Sequence, residues 1–293
     1  MLFNNILCAL DYSEFSDRAC RYAFSLAKQY GAHLDLLQVV EPYVMFGQPE
    51  YAIVESTTVI QQLHDDAAGH VHELAKKYER FGVTVKELTP EGSAAAVILD
   101  TIPKESIDLV VMGTHGRSGF DRFVVGSVTE KVMRKANCPV LIIRKPAHDF
   151  VDDKSLAEPV HLRRILACTD FSAHSERAVR YAASLAAAHH AELSLVHVLA
   201  SVPEDGEIAH HLAQTARHMK TTIPEELRHA SEIHCLVRIG QPYQEILQLA
   251  AQSQADLVVM GVAGRHALDT AVFGSTAHRV IQLGSCPVLA VHI

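Results

Sequence analysis

Apolar residues along this chain fall into short unbroken runs, separated by longer stretches in which they recur every three to four positions. Unbroken runs of this kind read as strands buried on both faces, and the 3.6-residue recurrence reads as helices packed against them. In the first half the pattern predicts strands at residues 6–10, 33–40, 109–113 and 140–143, and an alternating strand at 83–88. Between them helices are expected over residues 13–31, over a long polar-faced stretch ending near Arg80, over 93–105 and over 127–136. Gly31 stands where a left-handed cap closes the first helix, and Pro103 interrupts the third. The second half repeats the alternation, with strands at 165–168, 192–198, 232–238, 257–260 and 288–291. Alternating strands and helices, with doubly buried strands, predict an α/β fold in which each half is a five-stranded parallel sheet with helices on both faces.

The repetition extends to side chains. Residues 11–22, DYSEFSDRACRY, and residues 170–181, DFSAHSERAVRY, are identical at seven of twelve positions, 159 residues apart. DLVVMGTHGR at 108–117 and DLVVMGVAGR at 256–265 match at a spacing of 148, which also carries NCPVLIIR onto SCPVLAVH. The second copy is therefore 11 residues shorter in its middle, and the chain is an internal duplication. The stretch between the copies is polar and charged, with Pro146 and Pro159 near its ends, and reads as a linker. The expected organisation is a first domain over 1–146, a linker over 147–161 and a second domain over 162–293.

One motif occurs twice in the same place. After the fourth strand the first copy has Gly113 and Gly116, nine residues, then Gly126 and Ser127; the second has Gly261 and Gly264, nine residues, then Gly274 and Ser275. Glycines allow close backbone approach to an anion and positive φ, and a helix starting at the serine offers unpaired N–H groups and the positive end of its dipole. Asp11 and Asp170 follow the first strand of each copy, where a carboxylate can accept from a ribose or a base. All these positions fall at the carboxyl ends of strands, where open α/β sheets bind ligands. The plainer reading of Ser127 is a helix cap, because Ser127 and Glu130 have the spacing of a capping box. His278 replaces Glu130 in the second copy, which removes a carboxylate competing for the same N–H groups. The second site is accordingly expected to hold phosphate more tightly, by an effect of about 0.3–1 kcal/mol. Val262 and Ala263 replace Thr114 and His115, and Ala267 replaces Gly119, so the second loop is the less polar.

These segments carry a resemblance. MGTHGRSGFDRFVVGSVTEKVMRKANCPVLIIR is similar to the closing signature of universal stress protein domains, and ILCALDYSEFS and ILACTDFSAHS resemble their opening. The resemblance covers nearly all of the chain outside the linker. It implies two Rossmann-like domains of the adenine nucleotide alpha hydrolase type. It implies ATP as ligand, with Mg2+ carried on the phosphates, since ATP-binding members of the family keep G-x2-G-x9-G-S/T. By the same resemblance Asp11 and Val39, and Asp170 and Val198, match the adenine and ribose side, with Met112 and Met260 beside the base. Gly113, Gly116, Gly126 and Ser127 match the phosphate loop, as do Gly261, Gly264, Gly274 and Ser275. Single-domain members pair through their final strands, so residues 140–143 and 288–291 are expected to meet inside this chain as an internal pseudo-dimer, with a homodimer as a further option.

Composition then narrows the partners. A net charge of −8 without a basic cluster excludes nucleic acid and an anionic membrane as the main partner. No apolar stretch has the length of a membrane span, and the first residues lack the basic start of a signal peptide. The six cysteines form no C-x-x-C and sit mostly in apolar runs, which reads as buried thiols in a reducing compartment, the cytoplasm. Histidine clusters at 64–72 and 210–218 read as polar helix faces rather than metal sites. No residue has the setting of a water-activating base or a Walker-type lysine, so at most weak ATP hydrolysis is expected. Two readings stand at this point: a nucleotide-binding stress regulator, and an interaction scaffold whose pockets are empty or hold another ligand.

Overall fold

A computed structural model describes residues 2–41, 52–114, 125–144, 150–151, 160–201, 207–262 and 274–292, with backbone alone for 52–57. The first half runs β1 (Asn5–Leu10), α1 (Glu14–Tyr30), β2 (His33–Gln38), α2 (Ala52–Glu79), β3 (Val85–Leu88), α3 (Ala94–Lys104), β4 (Leu109–Gly113), α4 (Ser127–Lys135) and β5 (Val140–Ile143). The second runs β6 (Arg164–Cys168), α5 (Ala173–His189), β7 (Glu192–Leu199), α6 (Ile208–Thr222), a 3-10 turn, β8 (Ile233–Ile239), α7 (Pro242–Gln252), β9 (Leu257–Gly261), α8 (Ser275–Leu283) and β10 (Val288–Val291). The 11-residue shortening therefore falls between the second and third strands of each half, where the helix has 28 residues in the first half and 15 in the second and the flanking connections make up the remainder.

The strands form one ten-stranded sheet in the order β3-β2-β1-β4-β5-β10-β9-β6-β7-β8. Pairing is parallel throughout each half, and the halves join where β5 and β10 pair antiparallel, Leu141 opposite Leu289. Side chains alternate between two apolar layers. Ile6, Cys8, Leu34 and Leu36 pack under α1 and α5 on one face, while Leu7, Leu37, Val110 and Ile142 pack against α3, α4, α7 and α8 on the other. Burial on both faces is why these strands show no polar alternation in sequence.

Local signals act as read at α1. Ser13 caps its start by accepting from the Ser16 N–H at 3.1 Å, and Gly31 closes it at φ 63. The strand expected from residue 83 begins two residues later, after a turn at Gly82 with φ 83, although Val83 is itself buried. Five cysteines are buried and Cys235 half-buried, all as free thiols. Burial pushes Cys138 and Cys286 up to about 12, so both stay protonated at neutral pH.

The connection between the halves is more than a polar tether. Phe150, Val151 and Val160 are buried, and the Phe150 ring meets Tyr22 edge-on with centroids 4.7 Å apart. Isolated apolar residues in a charged run carry no periodicity, so the sequence pattern gave no sign of this packing.

Candidate functional site

The C-terminal ends of β1, β2 and β4 open onto a cavity of about 350 Å³. It lies at the switch in strand order, where β2 flanks β1 on one side and β4 on the other, so the loops leaving β1 and β4 diverge. Asp11, Val39, Met112, Gly113, Gly126 and Ser127 all line it. Gly116 lies outside the described residues, as do His115 and Gly119.

Each of these residues is placed by a specific constraint. The Asp11 carboxylate accepts from the Ser13 N–H at 3.0 Å and from its hydroxyl at 2.6 Å. This turn holds Tyr12 at φ 64, and the Tyr12 ring stacks on His70 with centroids 4.7 Å apart. His70 Nδ1 in turn lies 2.7 Å from Gln38 Oε1 on β2. At the other end of the cavity Gly126 is the N-cap of α4 and supplies no side-chain acceptor. The first-turn N–H groups of α4 therefore reach the cavity edge without a capping side chain. Thr129 donates to the Gly113 carbonyl at 2.9 Å and fixes α4 against the end of β4. The intervening loop is pinned at both ends, Thr114 N–H to Ile143 carbonyl at 3.1 Å and Gly126 N–H to Thr114 carbonyl at 2.7 Å.

The described lining is apolar around Leu37, Val39, Ile98 and Met112, with Asp11 and Glu41 as its charged groups and no cation among the described residues. Glu41 accepts from the Ala94 N–H at 2.6 Å and so caps α3 in place of Ser93. An aliphatic cleft of this volume with polar groups gathered at its two ends suits a small molecule with one flat apolar part and one anionic part.

The second half repeats the frame with different walls. Asp170 accepts from the Ser172 N–H and hydroxyl at 3.0 and 2.5 Å, Phe171 stands at φ 60, and Gly274 N-caps α8 without a side-chain acceptor. The loop is pinned identically, Val262 N–H to Val291 carbonyl at 3.1 Å and Gly274 N–H to Val262 carbonyl at 2.7 Å. Asp170, Val198, Met260, Gly261, Gly274 and Ser275 thus take the corresponding strand ends and helix start, while Gly264, Ala263 and Ala267 lie outside the described residues. Phe171 stands between the rings of His197 and His218, each 4.6 Å away, and His197 donates from Nδ1 to the Thr169 carbonyl at 2.7 Å.

Three expectations need correction. Ser127 does not form a capping box with Glu130: Gly126 is the cap, Ser127 is the first helical residue, and the Glu130 carboxylate pairs with Arg134 one turn on. Gly126 and Gly274 are not needed for positive φ, since they sit at −59° and −64°. Gly113 and Gly261 are required for close packing: a Cβ at Gly113 would lie 2.7 Å from Phe15 Cβ, and one at Gly261 2.8 Å from the His174 carbonyl carbon. The histidine stretches are not plain solvated faces either, because His70 and His218 pack against the aromatic residue that follows Asp11 and Asp170. The repeat spacing could have paired His70 with His218 and Gln38 with His197; single-position reading could not.

A doubly wound parallel arrangement repeated in each half of one chain, with a ligand-sized cleft at the first half's switch point, defines a tandem of Rossmann-like domains. The universal stress protein family model matches residues 2–144 and again 161–292, and the chain belongs to that family. It is similar over 98% of its length to a universal stress protein of Mycolicibacterium smegmatis, 27% identical and covered over 96%. A universal stress protein of Methanocaldococcus jannaschii is 32% identical across 50% of this chain and 84% of its own. Among solved structures, a universal stress protein from Archaeoglobus fulgidus superimposes with a TM-score of 0.73 at 25% identity, covering 98% of this chain and 95% of that one. Among the described residues no helix is long and apolar enough to cross a membrane.

Proposed function

We propose that this universal stress protein binds ATP in two pockets, one per half, and acts as a nucleotide-responsive regulator rather than an efficient enzyme. The observation that carries the reading is the first cavity. It gathers Asp11, Val39, Met112, Gly113, Gly126 and Ser127 around one space, and α4 enters that space with its N-terminal N–H groups uncapped by a side chain. Adenine fits the aliphatic wall between Val39 and Met112. The phosphates fit the Gly126–Ser127 end, where the helix dipole and N–H groups favour an anion. Mg2+ would travel on the phosphates, because Asp11 and Glu41 already accept hydrogen bonds from backbone N–H groups. No described lining residue has the setting of a base that activates water, which supports binding over turnover. Free thiols that are buried or half-buried accord with a cytoplasmic location.

The test is nucleotide released from heat-denatured, freshly purified protein, followed by calorimetry with ATP and GTP. The reading expects two ATP sites and a preference over GTP. A scaffold reading draws on the acidic charges of the described lining, Asp11 and Glu41, and expects no stoichiometric nucleotide. Absence of ATP binding in the presence of Mg2+ would decide for the scaffold.

A further inference from the structure

The duplication leaves two equivalent helix faces in different circumstances. On α1, Arg18, Arg21, Tyr22 and Ser25 have the spacing of one helix face, and 159 residues on, α5 carries Arg177, Arg180, Tyr181 and Ser184. The α1 face is covered. Phe150 packs on Tyr22 at an interplanar angle of 87°, and its carbonyl accepts from the His161 N–H at 2.8 Å. Tyr22 and Phe150 are exposed by only 1% and 2%, and Arg18 and Arg21 both have partners.

The α5 face is open. Arg177, Arg180, Tyr181 and Ser184 line a groove of about 610 Å³ together with Glu176 and, from outside the helix, Leu2. Leu2 stands 159 residues before His161 and is therefore its counterpart. Among the described residues neither arginine makes a hydrogen bond or ion pair, no ring packs on Tyr181, and the Leu2 N–H has no acceptor. The tyrosine that seats Phe150 and the backbone N–H that bonds its carbonyl thus have counterparts at the α5 groove in Tyr181 and Leu2, beside two arginines equivalent to Arg18 and Arg21. The acidic neighbours Asp17 and Glu176 are also equivalent, so they do not distinguish the two faces.

The first seat shows what chemistry the second accepts. Phe150 lies in Asp149-Phe150-Val151-Asp152-Asp153, an aromatic and a β-branched residue flanked by three carboxylates. Carboxylates match arginine forks, and an aromatic ring matches the tyrosine floor. We propose that the α5 groove docks a segment of a partner protein with this chemistry, an aromatic–aliphatic pair flanked by acidic residues. A second copy of this chain is the poorer source, because its own Phe150 is almost fully buried against Tyr22.

The probe is a fluorescent peptide with the sequence of residues 147–155, AHDFVDDKS, titrated with the full chain and read by anisotropy. Saturable binding is expected. It should weaken at least tenfold in the Arg177→Ala/Arg180→Ala variant, and equally when the peptide's phenylalanine is replaced by alanine. The Arg177→Lys/Arg180→Lys variant, which keeps the charge but not the fork, is expected to bind with intermediate affinity and serves if the alanine pair fails to fold. Absent binding, or binding indifferent to both substitutions, overturns the proposal. Loss on Arg18→Ala/Arg21→Ala instead would place the peptide at the α1 seat and also overturn it. Concentration-dependent dimers in sedimentation, abolished by Arg180→Glu, would assign the groove to a second copy.

Discussion

In the first half the cavity is lined by Gln38 and by Tyr12, both of which contact His70, with Thr129 bonded to the Gly113 carbonyl. In the second half the same places hold His197, His218 and Phe171, and Ala277 stands where Thr129 was. The backbone frame is nevertheless the same, down to the 2.7 Å bonds that close both loops. Around the strand ends the divergence lies in side chains, some of which have changed in concert. Glu41 caps α3 through the Ala94 N–H, whereas the second half has Ala200 for the glutamate and Pro242, which has no N–H, for Ala94. Donor and acceptor disappear together, and neither is left buried and unpaired. The comparison teaches that the duplicated site is conserved as a geometry of strand ends and helix starts, over which the wall chemistry is free to drift in matched pairs.

The sharpest break of this comparison comes from the helix starts. Gly126→Val and Gly274→Val each place a branched side chain at the N-cap beside the proposed phosphate position. If the frames are equivalent, each should remove one ATP site by calorimetry, with a loss of about a hundredfold at the altered pocket, the worth of about 3 kcal/mol in hydrogen bonds to a charged group. Retention of wild-type affinity by the double variant would refute the phosphate assignment.

A smaller effect separates the halves at the opposite end of the sheet. Asp35 on β2 is 5% exposed, and burial raises its carboxyl to about 6, with Glu105 adding to the rise and Lys86 and His33 opposing it. Its counterpart is Ser194. A carboxyl raised on folding stabilises the fold when protonated, so its contribution is complete below about pH 3.8 and is lost as pH rises through about 6. Asp35→Asn should therefore gain roughly 1–3 kcal/mol relative to wild type at pH 7.5 and much less at pH 4. Denaturant midpoints at the two pH values measure this, and an equal effect at both would remove the carboxyl as the cause.

The side-chain lock on α4 comes next in size. Thr129→Ala should cost about 1 kcal/mol of stability, the usual net worth of such a bond, and Ala277→Thr should recover a similar amount in the second half if the frames superimpose. Thermal unfolding of the two variants distinguishes a shared frame from a chance resemblance. Smallest of all is the effect at Glu130. Its carboxylate is engaged with Arg134 and not with the first-turn N–H groups, so Glu130→Gln should change first-pocket affinity by less than about twofold. A tenfold gain would revive the ranking of the second pocket above the first.

Much of this fold was legible because its signals are local or periodic. Strand positions followed from apolar runs, the ends of α1 from Ser13 and Gly31, and the two-domain plan from spacings of 159 and 148. Six positions proposed for the first pocket do converge on one cavity, since the ends of parallel strands at a switch point must lie together. The capping box misled because its spacing is satisfied equally by an i, i+4 partner; which acceptor Glu130 serves depends on Arg134 and on the chain path through Gly126, not on the motif.

The sequence alone thus determined the duplication, the alternation of strands and helices, and the kinds of residue offered at each strand end. The tertiary structure alone decided which side chains share a wall, that Phe150 turns a polar connection into part of the core, and that Gly113 is glycine because a Cβ there would lie 2.7 Å from Phe15 Cβ on α1. Local patterns encode torsions and amphipathic faces, which are properties of neighbours in the chain. Contacts such as Phe150 on Tyr22 join residues more than a hundred positions apart, and only close packing of the folded chain selects them.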